Sequence, residues 1–192
     1  MAFHRFGSAS VPEDRWYLAS PHDATGEEID PRLFTEGKPV DLPANLIVTK
    51  RRLGRPLDFT LADFDMPVVS GPLAKLLLDA AQGCVQLLPT KVEGEEDEYF
   101  ILNVTRTVPC ISDADSLVMH WQTTDGRPEK IGQYRMVAKP VLTAANHAGE
   151  ALFRAAGWEV MLLASGKLAR VLLNSGLTGL ELSMLPRAAS DA

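Results

Sequence analysis

The sequence predicts an α+β fold, a mixed sheet carrying a few short helices, and three observations predict it. Two short leucine-striped segments each begin at a serine and end at a glycine, as capped helices do. Each is flanked by apolar runs of strand length. Between the two units lies a stretch of β-branched and aromatic residues that reads as an antiparallel hairpin region. Hydrophobic residues make up 46% of the 192, enough for a sizeable core.

Residues 1–14, with Gly7, Ser8, Ser10 and Pro12, read as a loose lead-in. RWYLA (15–19) reads as a first strand, and SPHDATGEEIDPRLFTEGKPVDLP after it as an irregular surface wrap. NLIVTKR, Asn45 to Arg51, is a strand, and LDFTLADFDMPVVS carries one or two short ones. Ser70 caps a helix with Pro72 in its first turn. Leu73, Leu76, Leu77 and Ala80 share one face of it, Gly83 ends it, and CVQLLP is the return strand.

WEVMLLA, then Ser165, then a helix with Leu168, Val171 and Leu172, then Gly176 and LELSML repeat that grammar. SGPLAKLLL and SGKLARVLL agree at six of nine positions, and Met66 and Met161 precede them at equal distance. Pro89 and Pro186 are expected to follow the two return strands. The expectation is two related strand–helix–strand modules, their flanking strands paired in parallel or at least placed in one sheet. Between the modules, EYFILNVTRTV directs Tyr99, Ile101 and Asn103 to one face and Phe100, Leu102 and Val104 to the other. SLVMHW and QYRMVAKPVL flank TTDGRPEK, whose Asp125-Gly126 marks a turn.

A net charge of −6 repels phosphate backbones, which argues against nucleic acid and suits a basic protein partner. No apolar run approaches the ~20 residues of a membrane span, and MAFHRFGSASVPEDRW lacks a signal-peptide core; the expected location is the cytoplasm. Cys84 and Cys110 form no Cys-x-x-Cys pair and are expected as buried free thiols. His4, His22, His120 and His147 stand too far apart for a local zinc signature. Asp63/Asp65 and Asp113/Asp115 lack the other ligands of a calcium loop and read as turn and capping residues.

ASGKLA is not a phosphate loop: Met161 stands where its first Gly belongs, and Leu168 where Ser or Thr would bind magnesium. There is no Gly-x-Ser-x-Gly elbow and no dinucleotide fingerprint. No catalytic set, cofactor or metal is therefore expected. Cys110, His120 and Arg135 remain as residues that only a distant fold could assemble into a ligand site.

Two charged patches are candidate contact sites. Glu93, Glu95, Glu96, Asp97 and Glu98 crowd six positions before a strand, either as a solvated turn or as an anionic tip for a basic cleft. TDGRPEKIGQYR offers Asp125, Arg127 and Glu129; Arg127, Glu129, Lys130 and Arg135 either contact a partner or make salt bridges among themselves at little gain in stability.

Four segments carry a family resemblance: DMPVVSGPLAKLL, YFILNVTRTVPCISDADS, DGRPEKIGQYRMV and FRAAGWEVMLLASGKLARVLLNSGLTGLEL, in this order. Together they resemble immunity protein family eleven of bacterial polymorphic toxin systems, common in myxobacteria, over about residues 63–185. The resemblance implies a non-catalytic protein that binds and neutralises a cognate toxin encoded by a neighbouring gene, with a basic nuclease as one candidate. It implies no catalytic residue. Residues 63–192 would then form the family domain, with 1–62 as strands and an extended segment packed on it. An adaptor for a secreted effector and a small-ligand domain are the competing readings.

Overall fold

Ser70 and Ser165 start the two α-helices found among the described residues. Each serine hydroxyl accepts a backbone N–H three residues on, from Leu73 and Leu168 at 3.5 and 3.2 Å. The computed structural model describes residues 2–10, 13–42, 45–143 and 149–189; His147 lies outside them. The strands are β1 (Phe3–Ser8), β2 (Tyr17–His22), β3 (Leu46–Arg52), β4 (Phe59–Leu61), β5 (Pro67–Ser70), β6 (Val85–Val92), β7 (Tyr99–Val104) and β8 (Thr107–Val108). They continue with β9 (Leu117–His120), β10 (Tyr134–Ala138), β11 (Leu152–Ala155), β12 (Trp158–Ser165) and β13 (Leu180–Met184). Helices α1 (Gly71–Ala80) and α2 (Gly166–Asn174) complete the α+β fold.

Six strands form one sheet in the order β2-β3-β6-β7-β5-β4, and five form another in the order β13-β1-β12-β11-β8. β9 and β10 make a separate two-stranded ribbon. Among the described residues no helix is long and apolar enough to cross a membrane.

The two modules are one design used twice. β5 and β6 both run antiparallel to β7, and β12 and β13 both run antiparallel to β1. Each helix therefore joins two parallel strands that have a third strand between them. The expected single sheet and parallel sense hold; direct pairing does not, because β7 and β1 occupy the slot. A constant shift of 95 positions, as from Ser70 to Ser165 and from Val85 to Leu180, carries one module onto the other.

The registers agree as well. Val69 opposite Phe100 matches Ala164 opposite His4, and Val85 opposite Val104 matches Leu180 opposite Ser8. Outside them, β4 lies on β5 as β11 lies on β12: Phe59–Val69 and Leu152–Ala164 are equivalent pairs. At the far edge, the chain of neighbours Pro21–Val48–Val92 recurs as Ile111–Leu142–Arg187. The first half is thus β2 to β7. The second is completed by β1, which comes from the other end of the chain.

Both helices bury the same three positions, Leu73, Ala74 and Leu77 on α1 and Leu168, Ala169 and Leu172 on α2. These enter one core shared by both sheets, with Phe6 stacked on Phe59 at 4.6 Å. The buried stripe is narrower than the periodicity predicts, since Ala80 is exposed and Val171 is 44% exposed. Each sheet also closes a core of its own, one around Trp16, Phe34 and Ile101, the other around Phe3, Phe153 and Leu163. The face assignment of β7 holds: Tyr99 and Ile101 enter the first-half core, and Phe100, Leu102 and Val104 meet the shared one.

Three expectations are corrected. Residues 3–8 are a strand, not a lead-in; pairing on both edges overrides the loop-like composition of Gly7 and Ser8. The first strand of the first half runs Tyr17–His22 rather than 15–19, since Pro21 is tolerated on an edge strand. Pro89 lies inside β6 at an exposed position, just before β3 joins at Thr90.

Two clamps join the halves. The Asp58 carboxylate accepts the Thr178 amide at 2.7 Å, the Thr178 hydroxyl at 2.8 Å and the Ser70 hydroxyl at 2.6 Å. Burial pushes its pKa up, but these hydrogen bonds outweigh it and hold the carboxyl below its usual value. Gly179 beside Thr178 sits at φ +80°, and a Cβ there would lie 2.2 Å from the Phe59 carbonyl. The second clamp is Arg154, 1% exposed, whose guanidinium donates to the backbone carbonyls of Val104, Glu159 and Phe34 at 3.1, 2.6 and 2.7 Å. Burial lowers its pKa to about 10, so it stays charged at neutral pH.

Removing β1 from the N-terminus and joining it after Arg187 through a turn of about six residues, the length that links β6 to β7, should give a folded permutant. Native-like near-UV dichroism and a cooperative melt would bear this out; a molten product would not. Arg154→Met is expected to cost ~3 kcal/mol or more in guanidinium unfolding, because the carbonyls of Val104 and Phe34 lose a buried donor and that of Glu159 a half-buried one. Asp58→Asn should lower Tm above pH 4 and remove part of the acid limb. A depressed carboxyl stabilises the fold above its unfolded pKa of ~3.9 and loses that contribution as pH falls through the folded value. Thermal melts from pH 2 to 6 check both points.

Candidate functional site

The acidic stretch is the tip of the β6–β7 hairpin. The hairpin is held at its base by Glu93 N–H donating to Val48 at 3.0 Å and by Glu95 N–H donating to Val92 at 3.0 Å. Glu93, Glu96, Asp97 and Glu98 are exposed. Glu95 is different: its carboxylate pairs with Lys50, and both side chains are largely covered, at 18% and 13% exposure. The Lys50 ammonium also lies 5.7 Å from the Trp16 ring. One of the five acids is thus neutralised within the fold, and four remain toward solvent.

The Glu98 carbonyl accepts the Gly71 N–H at 2.9 Å, which sets the tip beside the first turn of α1. Two grooves border it and share Glu96 to Phe100. One, of about 1110 Å³, runs along Asp58, Gly71, Lys75 and Leu78. The other, of about 650 Å³, runs along Asn45, Ile47 and Lys91. At their junction Tyr99 is held protonated: burial, then Glu95, Asp97 and Asp58, push its pKa to about 12. Both grooves are wide and shallow, a geometry that suits a protein surface better than a small molecule.

Asp125, Arg127 and Glu129 lie elsewhere, in the turn of the β9–β10 ribbon. Asp125 is engaged: it accepts the Gln122 N–H at 2.8 Å and Arg135 at 2.7 Å. Arg127 and Glu129 pair loosely at 3.7 Å, and both are exposed. The structure therefore separates the two predicted patches onto different halves of the molecule.

Sequence reading missed the aromatic and apolar surface of the ribbon. Trp121 lies 4.9 Å from the Arg135 guanidinium and 5.4 Å from the Lys130 ammonium. It also missed Phe64, a 54% exposed aromatic at φ +54° with Arg32 stacked on it at 3.8 Å. Two acids flanking Phe64 drew attention to themselves instead. Of these, Asp63 accepts Ser20 N–H at 3.0 Å and pairs with Arg51, a structural role that lowers its pKa through the Arg51 contact.

Cys110, His120 and Arg135 do not form a site. Cys110 is buried in a core, and burial pushes its thiol to about 12. His120 stacks on Tyr134 at 4.7 Å and faces Asp113 at 3.4 Å. Arg135 is taken by Asp125 and Trp121. Cys84 is also a free thiol, but half-buried rather than buried as expected. Among the described residues no three His, Cys, Asp or Glu side chains converge to hold a metal ion.

Against known families, a model described as an immunity protein family, Imm11, matches residues 7–185 of the chain. No curated protein matches it.

Proposed function

Because the chain belongs to the Imm11 immunity protein family, we propose that it binds a cognate toxin, encoded by a neighbouring gene, and blocks it without chemistry of its own. In this reading the β6–β7 tip enters a basic cleft on the toxin, such as the phosphate-binding face of a nuclease. The observation that carries it is the exposed set Glu93, Glu96, Asp97 and Glu98 on a hairpin held at its base. Carboxylates so placed compete with phosphates for Arg and Lys. They also steer a basic partner toward the tip before contact.

Co-expression with the product of the adjacent toxin gene in a sensitive host is expected to restore growth and give a complex that co-purifies. Binding without rescue would favour an adaptor, and neither would remove the inhibitor reading. Glu93→Lys, Glu96→Lys and Asp97→Lys together should slow association by about ten-fold or more at low salt. The effect should shrink near 0.15 M, where the screening length falls to ~8 Å. An unchanged association rate at low salt would take the tip out of the interface.

A further inference from the structure

The two halves agree strand for strand, so the place where they part company is informative. In the first half the β2–β3 connection folds back on its own sheet. Pro31, Phe34, Thr35 and Gly37 are buried there. Gln86 exchanges hydrogen bonds with Val40 at 3.0 and 2.7 Å, and Asn103 donates to the Lys38 carbonyl at 2.7 Å. The counterpart connection of the second half lies between the equivalent residues Ile111 and Leu142. It carries the β9–β10 ribbon, and from Asp113 to Val141 no side chain is buried.

On one face His120 packs against Tyr134, whose hydroxyl donates to Asp113, and the Tyr134 ring lies against Gly157 in the β11–β12 turn, where an added Cβ would come within 3.1 Å of it. The opposite face sets Met119 against Met136 and Leu117 against Ala138. Its β9 side is open to solvent, with Leu117 55% and Met119 48% exposed, while Met136 and Ala138 are half-buried. The turn adds Trp121 with its two cations, and Ile131 at 47% exposure.

We propose that this ribbon is the short-range anchor of the toxin complex, seated on an apolar toxin surface that carries carboxylates. The proposal rests on the toxin-binding reading. Charge complementarity names the chemistry: between Leu117 and Val141, Arg127, Lys130, Arg135 and Lys139 outnumber Asp125 and Glu129, although the whole chain carries −6. β9, β10 and their turn thus carry a local excess of two positive charges, with Asp113 and Asp115 just before them, and Lys130 and Lys139 are the cations least engaged by acids of the ribbon. Its Trp and Arg side chains are the types that dominate binding energy at protein interfaces, and Met adapts its shape to an irregular partner. A nucleic acid fits less well, since the rest of the chain repels phosphate.

The test uses the full chain and the protein encoded by the adjacent toxin gene, with dissociation followed by biolayer interferometry. Three variants are compared with the parent: Trp121→Ala, Leu117→Ser with Met119→Ser, and Arg127→Glu with Lys130→Glu. Each is expected to speed dissociation by about ten-fold or more, while Tm stays near the parent value in all three and the low-salt association rate does so in the two variants that leave the charge unchanged. Unchanged dissociation in all three would overturn the proposal and leave the toxin reading standing. A parallel fall in Tm would make the ribbon a structural element and overturn it too. So would a parent dimer that the variants convert to monomer, or binding of a DNA or RNA oligonucleotide that they abolish. If the parent forms no complex with the adjacent gene product, the toxin reading itself fails.

Discussion

One buried guanidinium, that of Arg154, sets the terms on which the halves meet. It reaches Val104 at the end of β7, Glu159 in the β11–β12 hairpin and Phe34 in the surface segment of the first half. Taking such a charge out of water costs several kcal/mol. Three charge-assisted hydrogen bonds of roughly 1.5–3 kcal/mol each offset that cost. The net stabilisation is small, but the penalty for missing one bond is large. Arg154 therefore acts as a constraint on register: the three segments must arrive together. Its counterpart in the first half is Leu61, an apolar residue with no such reach. The duplication is broken at the point where the two copies are joined.

Around that constraint the molecule is built from equivalent parts. Six buried helix positions, three from each copy, point into one core, so neither sheet can lose its helix without exposing the other's apolar face. Strand β1 closes the second copy as β7 closes the first, although one comes before everything else in the chain and the other follows β6 through a short hairpin. The Asp58–Thr178 contact completes the weld on the same seam, with Gly179 allowing the backbones to approach.

A body welded in this way frees its connections for other uses. The β6–β7 tip projects four carboxylates, and the β9–β10 ribbon projects cations and uncovered apolar side chains. Long-range charge governs how fast partners meet, and buried apolar and aromatic contact governs how long they stay. The two projections differ in just these properties. An inhibitor that must find a toxin quickly and hold it has a use for both.

Much of the architecture was determined by the sequence itself. Serine caps and leucine spacing specify both helices, and Gly176 stops α2 directly after its Ser175 cap, because these signals act within a few residues; α1 ends earlier, at Ala81, with Gly83 in the turn that follows. Alternation specifies the faces of β7, and the repeated SG-x-LA-x-x-LL signature marks the related modules. Only the tertiary structure decided which strand fills each slot. The sequence around Gly7 and Ser8 has no strong strand preference, and β1 exists because two edges from residues 158–184 receive it. The same holds for the candidate sites. Which acid of the tip is neutralised depends on Lys50, distant in the chain, and which side of the ribbon stays open to solvent depends on where the body lies. Local pattern encodes period and boundary. Pairing and burial are properties of contacts between distant residues, and no window of sequence contains them.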